Sequence, residues 1–247
     1  MASPFGSEKI INKKYFNDNL KTYFIGFDLN NNGGKYYRLE KFVDVLTRTL
    51  PEFALGHHEG TDVNITNFVP KLSEAARSVY KIKDFEDVGN IYLKCDSVDD
   101  DSSSKEFLER GEFGELILHL ILRDFHNTIP LISKIYFKDA YNSPAHGFDA
   151  VHIQPDTGTL WLGEAKMYTD GKKGVRALAK DVKEHFNRDY LNDEFAIVSK
   201  KIKPFDNIPQ KSRWLNLMDR ETTLIKLFKN VNIPLLCTYT SNNFSNL

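Results

Sequence analysis

The chain has 247 residues, 41% hydrophobic and 27% charged, which suits one large packed domain or a domain with an elaboration. Its 33 Lys and Arg face 34 Asp and Glu, a formal net charge of −1, so no global basic field marks a nucleic-acid binder. Two distant cysteines, Cys95 and Cys237, argue against a disulfide framework or zinc knuckle. The N-terminus lacks an apolar signal core, and no apolar run is long enough to span a bilayer, so a soluble, cytoplasmic protein is expected.

Residues 1–100 are expected to form an N-terminal α+β region. TYFIGFD at 22–28 predicts a strand and NNNGGK at 30–35 a turn. Leu39, Phe42, Val43, Leu46 and Leu50 recur at helical spacing, and Pro51 is expected to end that helix. A second helix is expected from 70 to 81, through Leu72, Ala75, Ala76 and Val79, and then a strand at 90–95. The acidic, Ser-rich run at 96–104 reads as a loop and domain boundary, with Ser103 and Glu106 spaced as a capping box for the next helix.

The main domain, 101–247, opens with a helix over 105–126, apolar on most sides in its second half and therefore buried. LISKIYFK at 131–138 predicts a strand. Residues 147–168, GFDAVHIQPDTGTLWLGEAKMY, predict two more around the turn QPDTG, a hairpin. A helix follows over 172–190, with Val175, Leu178, Val182 and Phe186 on one stripe. A strand is expected at 194–200 (EFAIVSK), a helix over 221–229, and an edge strand at 231–239, because Pro234 cannot donate to a ladder. The fold class is α/β: a mixed central sheet flanked by helices, carrying the N-terminal elaboration.

The hairpin carries the chemistry. Strand alternation places Glu164 and Lys166 on one face, and the turn brings Asp149 alongside. Buried charges are costly unless paired or bound to a metal. Two repelling carboxylates offer hard oxygen ligands, which suit Mg²⁺, with Mn²⁺ as a substitute. Asp149, Glu164 and the backbone carbonyl of Ala165 are the expected metal ligands. Lys166 is expected to orient a water and stabilise charge developing on a phosphate, so the reaction expected is phosphodiester hydrolysis. A surface Glu–Lys pair is the plain alternative, but the apolar neighbours Trp161, Leu162 and Met167 mark a core strand.

The pattern GFD, turn, GEAK resembles the PD-(D/E)xK nuclease superfamily. More narrowly, residues 105–200, with LWLGEAKMYTDGKKG, resemble the HamA family, nuclease subunits of Hachiman anti-phage defence. The superfamily often has proline before the Asp, where this chain has Phe148. The resemblance implies a restriction-endonuclease-like core, a metal-dependent deoxyribonuclease and a superfamily 2 helicase partner. Residues 1–100 are then a candidate docking region. It also implies a Glu on the helix before the first core strand. Glu115 fits that slot, with Glu112 as a competitor, and Gly111 and Gly114 in that helix point to close backbone approach. Lys172, Lys173, Arg176 and Lys180, left outward by the apolar stripe, are candidate DNA-binding residues.

Other candidates are weaker. His57, His58 and Glu59 lack the HExxH spacing. His146 and His152 flank Asp149, with His152 expected to face away, and His119 reads as a buried, hydrogen-bonded histidine. No phosphate-binding loop of GxxxxGK[ST] type is present, so ATP hydrolysis is not expected of this chain. Two competing readings remain open: a catalytically silent DNA-binding or scaffold subunit, and a sequence-specific restriction endonuclease.

Overall fold

A computed structural model describes residues 3–58, 63–64, 66–79, 111–132, 147–168 and 170–239. The expected strand at 90–95, the loop and boundary at 96–104, the Ser103–Glu106 cap, helix residues 105–110 and strand residues 133–138 lie outside them.

The fold is α/β, built on a five-stranded mixed sheet flanked by helices. Its centre is the hairpin of β6 (Ala150–Gln154) and β7 (Thr159–Met167), with the turn where QPDTG predicts it. Gly158 closes that turn at φ 67, a left-handed conformation that L side chains rarely adopt. A Cβ there would also lie 2.3 Å from Arg213 Cζ. Strand β5 (Ile129–Pro130) pairs antiparallel with β6. On the far edge, β8 (Val231–Asn232) and β9 (Leu235–Thr238) both run parallel to β7. The single strand expected at 231–239 is thus split around Pro234, whose carbonyl accepts the Glu164 N–H at 3.0 Å.

Both faces of the sheet are covered. Val151, Ile153, Leu160 and Leu162 join Leu191, Phe195, Val198 and Trp214 in one cluster. Ala150, Trp161 and Ala165 pack on Leu118 and Leu122 of α3 (Gly111–His126) from the opposite face. The α3 helix is buried along much of its length, as its sequence requires.

Four local expectations are corrected. Residues 194–200 form no strand; they lie within a helix, α5 (Arg188–Ile202). Asn187 caps it by accepting the Tyr190 N–H, and Leu191, Phe195, Val198 and Ile202 make one buried face at helical period. A seven-letter apolar window is too short to reveal that period. The helix expected over 172–190 is two elements, α4 (Gly171–His185) and the start of α5, with the break at Phe186. Leu131 and Ile132 lie just past β5 rather than in a strand, although the Leu131 N–H still reaches Val151 O at 2.8 Å. Finally, Pro51 does not end α1 (Leu39–Leu55). Proline costs the helix one hydrogen bond, but Phe53, Ala54 and Leu55 beyond it are buried against Ala75, Val79 and Leu116. The stop comes instead at Gly56, φ 99.

In the N-terminal region, β1 (Ile11–Asn17) and β2 (Leu20–Ile25) form one hairpin, β3 (Phe27–Leu29) and β4 (Lys35–Tyr37) a second. The expected strand at 22–28 is divided at Gly26, and the turn at 30–35 is where the sequence puts it. Helix α2 (Phe68–Val79) packs on α1. Two short helices, α6 (Lys211–Leu217), which the sequence pattern does not predict, and α7 (Leu224–Phe228), lie between α5 and β8. No helix among the described residues is long and apolar enough to cross a membrane.

Helix α1 is tied to α3 by charge as well as by packing. Glu52 Oε1 accepts from Arg123 Nε at 2.6 Å and lies 3.1 Å from His119 Nε2; Oε2 lies 3.0 Å from His57 Nδ1. Burial pushes the Glu52 carboxyl up, but hydrogen bonds to His119 and His57 and the Arg123 charge outweigh it and hold it far below the usual range.

Candidate active site

The last ladder pair of the hairpin is Ala150 opposite Gly163, so Asp149 stands beside Glu164 as the chain enters β6. Asp149 Oδ2 accepts the Ala165 N–H at 2.8 Å. Backbone directions explain this contact. Glu164 and Tyr168 donate their N–H groups to the β9 side, so the intervening Ala165 turns its N–H and C=O toward the edge where β6 has not yet begun.

Glu164 and Lys166 project together onto α4. Lys166 Nζ lies 2.6 Å from Asp181 Oδ2, and His185 Nδ1 lies 2.7 Å from Glu164 Oε1. Asp181 and His185 are one turn apart on the same helix face. Tyr190, from α5, stacks on the His185 ring with centroids 4.5 Å apart and planes 10° from parallel.

The electrostatics are strained around one group. Glu164 is only 2% exposed. Burial, then the charges of Asp149 and Asp181, pushes its carboxyl up to about 9; Lys166 opposes this and Glu115 adds to it. Burial would lower the Lys166 ammonium, but the hydrogen bond and charge of Asp181, with Asp149 and Glu164, leave it above the usual lysine value. The Lys166 ammonium is therefore favoured by its acidic neighbours, Asp181 first among them.

This shift carries a stability prediction. The folded chain keeps a proton on Glu164 that the unfolded chain has released, so stability falls as pH rises from about 4.5 to about 9. Thermal midpoints measured in chelator should decline over that window in the wild type, and less so in Glu164→Gln. Equal slopes in the two proteins would refute the crowding of acids at this site.

Glu115 is buried on α3 and close enough for its charge to act on Glu164. Gly114 lets α3 run close to β7: a Cβ there would lie 3.6 Å from the Cβ atoms of Ala165 and Met167. Gly111 makes no such approach. Glu112 is half-buried on the same helix.

Lys172, Lys173, Arg176 and Lys180 are exposed on α4. The inward stripe differs from the one expected. Val175 is 59% exposed, and the face toward the sheet carries Gly174 and Leu178, then Asp181 and His185. A Cβ at Gly174 would lie 2.5 Å from Cys237 Sγ, so the missing side chain lets the helix sit on β9. Two polar residues continuing a helical stripe from Gly174 and Leu178 were the available signal for Asp181 and His185.

His152 and His119 pack together inside the fold. His152 faces α3, away from the Glu164 face, with its ring 5.0 Å from His119 and Nδ1 2.8 Å from Thr128 Oγ1. His57 leans on Glu52, while Glu59 and His146 lie outside the described residues. Among the described residues, no three His, Cys, Asp or Glu side chains form a ready cation cage. The donor set still fits a hard divalent ion, because Mg²⁺ is commonly held by one or two carboxylates with waters completing its shell. Two crowded carboxylates, one with its pKa pushed far up, are what such an ion relieves.

A protein-family model described as HamA matches residues 5–247. The chain belongs to the HamA family. That membership associates it with Hachiman anti-phage defence. No curated protein and no solved structure matches the chain.

Proposed function

We propose that this HamA family member is a Mg²⁺-dependent deoxyribonuclease of the PD-(D/E)xK type, the effector of a cytoplasmic defence complex that includes a superfamily 2 helicase. The supporting observation is the meeting of Asp149, Glu164 and Lys166 at one end of the β6–β7 hairpin, with the Glu164 carboxyl crowded by other acids. Asp149, Glu164 and the Ala165 carbonyl would hold the cation, and Mn²⁺ would substitute. Bound there, the ion supplies charge neutralisation between the acids and Lewis acidity toward a phosphate oxygen.

The chain's own residues do the rest. Lys166, kept charged by Asp181, donates toward the attacking water and toward negative charge growing on the phosphate. Asp149, fixed by the Ala165 N–H, holds its place beside Glu164. Glu115 reaches the same group of acids from α3. Lys172, Lys173, Arg176 and Lys180 grip the DNA backbone and read no sequence. Residues 1–100 are the region proposed for helicase docking.

The test is plasmid cleavage across a Mg²⁺ titration, with and without the copurified partner. A smear supports a sequence-independent nuclease, discrete fragments a restriction enzyme, and no product at any Mg²⁺ concentration a silent scaffold. A binding measurement tests the α4 grip. The triple variant Lys172→Ala, Lys173→Ala, Arg176→Ala should flatten the plot of log affinity against log salt by about 3 units, equally for unrelated sequences. An unchanged slope would remove α4 from the interface.

A further inference from the structure

We infer that His185 and Asp181 are positioning residues of this site: His185 orients the Glu164 carboxylate for the cation, and Asp181 aims the Lys166 ammonium. The inference rests on the nuclease reading and goes beyond it, since neither residue belongs to the hairpin.

Three observations carry it. First, the two residues occupy the inward face of α4, where Gly174 and Leu178 mark a buried stripe and a polar side chain needs a specific partner. Second, each makes one short contact, and the two contacts divide the Glu-x-Lys pair between them: His185 Nδ1 to Glu164 Oε1 at 2.7 Å and Asp181 Oδ2 to Lys166 Nζ at 2.6 Å. Third, the His185 ring is itself held, stacked on Tyr190 at 4.5 Å. A carboxylate as buried as Glu164 has little water to orient it, so its direction is set by the side chain that hydrogen-bonds it. Partners of metal-ligating groups commonly act this way.

The arrangement has a functional consequence. The helix that presents Lys172, Lys173 and Arg176 outward is the one that fixes Glu164 and Lys166 inward. Seating of the DNA backbone and alignment of the reacting groups therefore share one rigid element.

The experiment uses the full-length chain and Mn²⁺, whose free-ion paramagnetic resonance signal reports binding without any turnover. His185→Ala and His185→Phe should weaken Mn²⁺ binding about tenfold. The Phe variant keeps a ring against Tyr190 and removes only the hydrogen bond, so it stands in if the Ala variant fails to fold. His185→Asn, whose amide can take the place of Nδ1, should restore affinity toward wild type. Asp181→Asn should lower kcat for plasmid cleavage and leave KM for DNA unchanged. Glu164→Ala is the control. Should Glu164→Ala abolish Mn²⁺ binding while His185→Phe binds as wild type does, the inference is overturned and the nuclease site stands. Should Glu164→Ala bind Mn²⁺ normally, the site itself is misassigned. A rise in KM with kcat intact in Asp181→Asn would overturn the role given to Asp181.

Discussion

Replacing Lys166 with Met is expected to lower DNA cleavage by about 10²–10³-fold, the usual loss when one donor to a developing anion is removed. The effect should fall on kcat, because the role proposed for the ammonium is to meet charge that grows in the reaction, while the proposed phosphate grip belongs to the α4 cations. Glu164→Gln should abolish measurable cleavage, since it removes a proposed cation ligand. Neither change should unfold the chain. Glu164→Gln removes a buried acid beside Asp149 and Asp181, so its stability at pH 8 should equal or exceed that of the wild type. Lys166→Met leaves Asp181 without its 2.6 Å partner and should be the less stable of the two. Phage plating should lose protection with both substitutions. Wild-type DNA degradation by either purified variant would show that the chemistry lies elsewhere.

Arg123→Ala is expected to destabilise the folded chain by about 3–5 kcal/mol, the range seen when one member of a buried ion pair is removed. Arg123 contacts both Glu52 oxygens, at 2.6 and 3.2 Å, and its third nitrogen donates to Thr128 O at 2.5 Å. The two side chains are 10% and 17% exposed, so water replaces the lost contacts poorly. Glu52 would remain charged and half-partnered beside His119 and His57. The double variant Arg123→Met, Glu52→Leu should recover much of the loss, because the stranded charge is then gone. Urea unfolding of Arg123→Met, Glu52→Leu and their double variant gives the coupling directly. A single-variant loss below about 1 kcal/mol would mark the pair as surface-like. The same pair joins α1 to α3, the helix that also carries Glu115, so loosening it should disturb the back of the site as well as the N-terminal region.

Much was legible in the chain itself because it is local. Strand alternation put Glu164 and Lys166 on one face, and a turn with Gly158 at its close set the register that brings Asp149 alongside. The long apolar helix ending at His126 and the edge position of the segment carrying Pro234 follow from composition and from the chemistry of proline, whereas the division of that segment into β8 and β9 does not. What resisted reading is non-local. The run at 194–200 is apolar enough for either a strand or a helix, and only packing of Leu191, Phe195, Val198 and Ile202 against the sheet selected the helix. Pro51 sits inside α1 because burial of the turn beyond it outweighs one lost hydrogen bond.

The hairpin acids and lysine and the α/β class were thus legible in the sequence alone; the α4 cations are outward as read, but on a helix whose inward stripe runs through Gly174 rather than Val175. Only the tertiary structure decided that Asp181 and His185 meet Lys166 and Glu164, and that Glu52 meets Arg123 across 71 positions of chain. The rotation of a helix about its axis is set by everything it packs against, and no local pattern encodes which polar side chain will face which partner.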